Sequence, residues 1–146
     1  MTEPNVAITG AEWEVMRVVW ANGSTTSSEI ITILEDKMNW KAATIKTLIG
    51  RLVIKEALHT EKNGRKFIYT AAISEKKMIG NYSTDILSLV CAQQNGKVVE
   101  NIIQDAKLSK DDITSLIALL QKKQEDAPDK VACACIPGQC DCHLTA

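Results

Sequence analysis

Aromatic residues are scarce in this chain: three Trp, two Tyr and one Phe among 146 residues. So little ring surface excludes a core of stacked aromatics and favours helices packed through Leu, Ile, Val and Ala. Histidine is scarcer still. His59 and His143 are isolated, no nucleophile with a base beside it is in view, and the acid pair Asp111-Asp112 reads as the start of a helix. An enzyme is therefore the weakest class. No apolar run approaches membrane-spanning length, and the amino-terminal "MTEPNVAITGAEWEVMRVVW" has acids but no apolar core of a signal peptide. The expectation is a cytoplasmic protein with no membrane partner. A net charge of -1 and 45% apolar content fit a globular chain and name no ligand. No internal repeat is evident, and the length suits one globular unit or two lobes.

What is present is strongly patterned. Thr9 with Glu12, and Thr26 with Glu29, are capping boxes that open two helices, the first closed by Asn22-Gly23 and the second near Asn39. Trp13, Met16, Val19 and Trp20 form one apolar stripe, and Ile30, Ile31, Leu34 and Met38 another. A third helix is predicted over 41–58, with Ile45, Leu48, Ile49, Leu52 and Val53 facing a core. Asn63-Gly64, followed by the β-prone "KFIYT", marks a hairpin. Three more helices are expected over about 75–92, 98–106 and 109–123, with apolar stripes that short helices bury poorly alone, so a second subunit is the natural cover. The predicted fold class is mainly α. Residues 1–73 make a winged helix-turn-helix of three helices and a hairpin wing, 74–124 a helical dimerisation region, and 125–146 a linker and cysteine tail.

Residues 41–66 hold seven cations against Glu56 and Glu61, an uneven excess in a slightly acidic chain. Charge so concentrated suits a polyanion. Lys41, Ala43, Thr44, Lys46, Thr47, Arg51 and Lys55 share or flank the outer face of the third helix, and Lys62, Arg65 and Lys66 sit at the hairpin tip. Small residues let a helix sit deep in a major groove, where Thr and Ala meet thymine methyls and Arg reaches guanine or phosphate. The bland alternative is a solvated face of an amphipathic helix. The conjunction of basic helix, preceding helix pair and basic hairpin favours double-stranded DNA.

Four of the five cysteines fall in "CACIPGQCDC": Cys133, Cys135, Cys140 and Cys142, spaced C-x-C-x(4)-C-x-C. Pro137-Gly138 supplies a turn that folds the two arms together. Four converging thiolates suit Zn(II) in a tetrahedron, and equally Cu(I), which favours soft sulfur; thiolates one residue apart bridge two metals more readily than C-x-x-C does. Disulfides or idle thiols are the alternative, and a reducing compartment argues against disulfides. His143 reads as a bystander. Cys91, after "LSLV", reads as an inert core cysteine.

"AEWEVMRVVW", "KAATIKTLIGRLV" and "GRKFIYT", joined to the terminal "CACIPGQCDC", resemble the CopY-type copper-responsive repressors of Gram-positive bacteria, a branch of the BlaI/MecI penicillinase-repressor family. The resemblance covers essentially the whole chain, and the tail is its specific part. It implies a homodimer on a palindromic operator of copper-homeostasis genes, holding DNA with Zn(II) in the cysteine site and releasing it when a copper chaperone delivers Cu(I). Glu56 departs from the pattern, since the family often has glycine there. A repressor of the same fold sensing zinc, cadmium or silver, or a cytosolic metal buffer, are the competing readings.

Overall fold

Thr9 ends the extended amino-terminal segment: its hydroxyl accepts the Glu12 amide at 3.1 Å, and α1 (Gly10–Asn22) begins. Gly23, at φ +74°, closes that helix by donating to the Val19 carbonyl. A short strand, β1 (Ser24–Thr26), leads into α2 (Ser27–Met38) through a reciprocal capping box between Thr26 and Glu29. The computed structural model describes residues 6–141, so Cys142 and His143 lie outside the described residues.

Helix α3 (Ala42–Ile54) is shorter than the 41–58 its periodicity predicts. Glu56 adopts the left-handed conformation, φ +64°, and stops it. The Ala57 amide then donates to the Leu52 carbonyl at 2.9 Å and the Glu56 amide to the Val53 carbonyl at 3.1 Å. Those two bonds form a Schellman cap, a motif that prefers glycine at the left-handed position.

Strands β2 (Leu58–Asn63) and β3 (Lys66–Ala71) make the expected hairpin, with Gly64 at φ +66° in a two-residue loop that favours glycine first. The hairpin is not the whole sheet, however. β1 pairs antiparallel with β3, Thr25 opposite Tyr69, giving a sheet of order β1-β3-β2. Three residues are too few to display a strand period, which is why the sequence hides β1.

The chain divides after Tyr82 into two compact units. In the first, Val15, Met16, Val19, Ile30, Leu34, Ile45, Leu52 and Met78 pack into one core. Each such side chain contributes about 1.5–3 kcal/mol on burial. Trp13 meets Trp20 edge-on at 5.6 Å and Tyr82 at 4.9 Å, and the Trp20 indole donates to the Ile73 carbonyl at 2.9 Å. These rings are structural, as their helical spacing predicts. Tyr82 also ties the amino-terminal segment down, its hydroxyl accepting from the Ile8 amide and donating to the Ile8 carbonyl.

Helix α4 (Glu75–Ser88) starts in the first unit and runs into the second. It stops four residues before the predicted end, and a single 3-10 turn, Ala92–Gln94, follows. Then come α5 (Asn95–Asp105) and α6 (Lys110–Glu125), the latter capped reciprocally by Ser109 and Asp112. No residue of α5 or α6 is buried. Ile102, Ile117, Leu119 and Leu120 are each more than half exposed. Past α6 the Gln139 amide donates to the Ile136 carbonyl at 3.2 Å across Pro137 and Gly138, the latter at φ +93°. This is the Pro-Gly turn of type II geometry that the tail's sequence calls for.

Candidate nucleic-acid interface and thiolate site

The outer face of α3 and the hairpin tip gather most of the basic residues picked out from sequence. Lys41, Ala43, Thr44, Lys46, Thr47 and Arg51 are exposed on or before α3, and Lys62, Arg65 and Lys66 are exposed at the loop between β2 and β3. The Thr47 hydroxyl donates to the Ala43 carbonyl at 3.0 Å, which commits its proton and leaves its methyl for an apolar contact. Beneath the wing, Glu29 is held below the usual carboxylate range, chiefly by the Thr25 hydroxyl, then by the Thr26 amide, with the Lys66 charge adding to both.

Lys55 belongs elsewhere. Its ammonium donates to both Glu12 oxygens, at 2.9 and 2.7 Å, and Glu12 is only 1% exposed. A cation spent on a buried carboxylate is not available to phosphate, so Lys55 is a strut between α1 and α3 rather than part of the basic face. Sequence could not reveal this, because Glu12 lies 43 residues away and reads as a capping-box acid.

In the second unit the Sγ atoms of Cys91, Cys133, Cys135 and Cys140 all lie within 4.8 Å of one another. Cys133 Sγ is 3.5 Å from Cys91 Sγ and 3.4 Å from Cys140 Sγ, and it accepts the Cys135 amide at 3.4 Å. Four sulfurs on metal bonds of about 2.3 Å in a tetrahedron stand about 3.8 Å apart, so a group already within 4.8 Å needs only a small adjustment to hold a zinc-sized ion. Sulfur-only donors suit Cu(I) as well. Bonding to Cys140, then to Cys133, with burial and Cys91 adding, pushes the Cys135 thiol up to about 12. Crowded thiols resist ionising together, and a cation relieves that.

Residues 8–122 of the chain match the penicillinase repressor family. The chain belongs to that family. A 16.5 kDa protein encoded 3′ of ptsI in Latilactobacillus sakei is 44% identical over 143 residues, 98% of each chain. The penicillinase repressor of Bacillus licheniformis is 34% identical over 115 residues, covering 79% of this chain and 90% of that protein. The solved DNA-binding domain of the repressor BlaI is 39% identical, covers 52% of this chain and 90% of its own, and superposes with a TM-score of 0.46.

The family match ends before Cys133. What the penicillinase repressor family explains is therefore the winged helix and the helices after it, and the tail cysteines need their own account. Of the four ligands picked from sequence, the structure gathers Cys133, Cys135 and Cys140, while Cys142 lies outside the described residues. The expectation of an inert core cysteine at position 91 is overturned. Because α4 ends at Ser88, Cys91 leaves the helix at a corner and its thiol joins the cluster. The sequence carries no local signal for this, since 42 residues separate Cys91 from Cys133.

Proposed function

We propose that this protein is a copper-responsive transcriptional repressor that binds a palindromic operator as a homodimer and releases it when Cu(I), handed over by a copper chaperone, occupies the tail cysteines. The observation that carries the reading is the sulfur cluster of Cys133, Cys135 and Cys140 on a penicillinase-repressor chain. In the DNA-bound state the same cysteines hold Zn(II) or no metal. Lys41, Ala43, Thr44, Lys46, Thr47 and Arg51 face the major groove, and Lys62, Arg65 and Lys66 follow the adjacent backbone. The exposed apolar residues of α5 and α6 support the dimer, since helices with no buried residue need a partner to cover them.

Energetically the switch is modest. Moving a repressor from almost wholly bound to almost wholly free takes about 5.5 kcal/mol of differential affinity. A structural thiolate site is worth roughly 10–16 kcal/mol, so a fraction of it suffices.

The test is a fluorescence-anisotropy titration of zinc-loaded protein on promoter DNA, followed by anaerobic Cu(I), with zinc release read in parallel. Loss of DNA together with zinc supports the reading. Protein that binds DNA and ignores copper but responds to zinc, cadmium or silver belongs to the sister class of soft-metal repressors, which the sulfur-only donor set also accommodates. Failure to bind any operator would leave a metal buffer.

A further inference from the structure

Cys91 stands at the corner between α4 and the 3-10 turn Ala92–Gln94, in extended backbone with φ -56° and ψ 136°. The turn is pinned to it by the Gln94 amide, which donates to the Cys91 carbonyl at 2.7 Å. A second tie lies two residues on: the Gln93 side-chain amide donates to the Val131 carbonyl at 3.0 Å. The tail is thus already held against this corner two residues before its first cysteine. Cys133 then places its sulfur 3.5 Å from that of Cys91, and Cys135 and Cys140 complete a group of four within 4.8 Å.

From this placement we infer that Cys91 is a metal ligand, joining Cys133, Cys135 and Cys140 in a discontinuous site formed by the α4 corner and the tail. The inference rests on the metal-sensing reading above and adds to it. A tail-only site would bond the metal to no side chain outside the tail. With Cys91 in the set, a four-coordinate ion such as Zn(II) fastens the tail to the end of α4 and the start of the helices that carry the exposed apolar surface. Each thiol surrenders its proton to solvent as its sulfur takes the metal, so Zn(II) and four thiols give one doubly negative complex and four protons.

The experiment is thiol footprinting of the full-length wild-type protein under anaerobic conditions. Metal-free, Zn(II)-loaded and Cu(I)-loaded samples are pulsed with N-ethylmaleimide, and the label on each cysteine is counted by peptide mass spectrometry. Zinc is expected to slow labelling of Cys91 roughly tenfold or more, in step with Cys133, because a metal-bound sulfur is no longer a free nucleophile. Labelling of Cys91 at one rate in both samples, while Cys133, Cys135 and Cys140 become protected, overturns the assignment and leaves the sensor reading standing. Protection of no cysteine by Zn(II) or by Cu(I) overturns both. A second arm loads Co(II) into the wild type and into Cys91→Ser and reads the ligand-field bands. Loss of one sulfur from the coordination sphere in Cys91→Ser supports the site, as does a four-sulfur spectrum in which Cys142 becomes protected only in the variant; an unchanged spectrum with Cys142 already protected in the wild type overturns it.

Discussion

Lys55 offers the sharpest separation of structural from DNA-binding charge. In Lys55→Ala the Glu12 carboxylate, 1% exposed, loses the ammonium that satisfies both of its oxygens. Breaking a buried pair from one side costs roughly 3–5 kcal/mol. The Lys55 side chain is itself 35% exposed, so water can partly replace it, and about 3 kcal/mol, at the low end, is expected. With a urea m-value of about 2 kcal/mol/M, the midpoint should drop by about 1.5 M. Glu12→Gln removes the charge that needs a partner, so in the double variant the two losses should fall short of additivity by about 1–2 kcal/mol. Operator titrations under conditions where the variant is folded should show an unchanged salt slope. A variant with wild-type urea stability and a slope reduced by about one would refute the argument and return Lys55 to the phosphate contacts.

On the basic face, Arg51→Ala should cost about 1–3 kcal/mol of operator affinity, measured by anisotropy against a variant operator to show relaxed discrimination. Lys66→Ala should weaken binding to all sequences alike and lower the salt slope by about one, and a loss confined to one base pair would contradict a backbone contact. Glu56→Gly relieves a left-handed residue at the end of α3 and should stabilise the first unit by about 0.5–1 kcal/mol net of unfolded-chain entropy, read from thermal melts. Glu29 is depressed in the folded state, so its contribution is fully present above the ordinary carboxylate value of about 4.3 and is lost as pH falls through the lower folded value. The stability gap between wild type and Glu29→Gln should therefore be open at neutral pH and close in acid; a gap constant across that window would remove the charge from the explanation.

What the sequence displayed well were features written in neighbouring residues. The helix starts at Thr9 and Thr26, the stripe from Ile45 to Val53, the Asn63-Gly64 hairpin and the Pro137-Gly138 turn are local rules, and each is found where the residues put it, although of those two starts only Thr26 closes a reciprocal box, the Glu12 carboxylate going to Lys55 instead of back to Thr9. What stayed hidden were pairings across the chain. β1 is a strand only because β3 lies beside it, Lys55 is a strut only because Glu12 is buried 43 residues upstream, and Cys91 meets Cys133 only because α4 stops short. The end of α3 is an intermediate case. Glu56 signals a stop only to a reader who expects glycine there, since a glutamate at φ +64° carries no local mark of the left-handed conformation.

Cys91 changes how one metal could be told from another at this site. One zinc on four thiolates and two cuprous ions on four thiolates carry the same net charge, two negative in each case, so charge alone cannot distinguish the filled states. At that stoichiometry the distinction would lie in geometry and in which sulfurs are used. A tetrahedral ion demands four, and the corner at Cys91 stands ready to supply one of them. Cuprous ions accept two or three bridging sulfurs, a demand that C-x-C arms within the tail can meet on their own. The Gln93 to Val131 hydrogen bond, worth about 1 kcal/mol net, is a weaker tie to the corner than a metal–sulfur bond. If the site works as proposed, the metal's preferred coordination number decides whether Cys91 bolts the tail to the end of α4, and the signal then begins beside the helices whose exposed apolar faces the proposed dimer would cover.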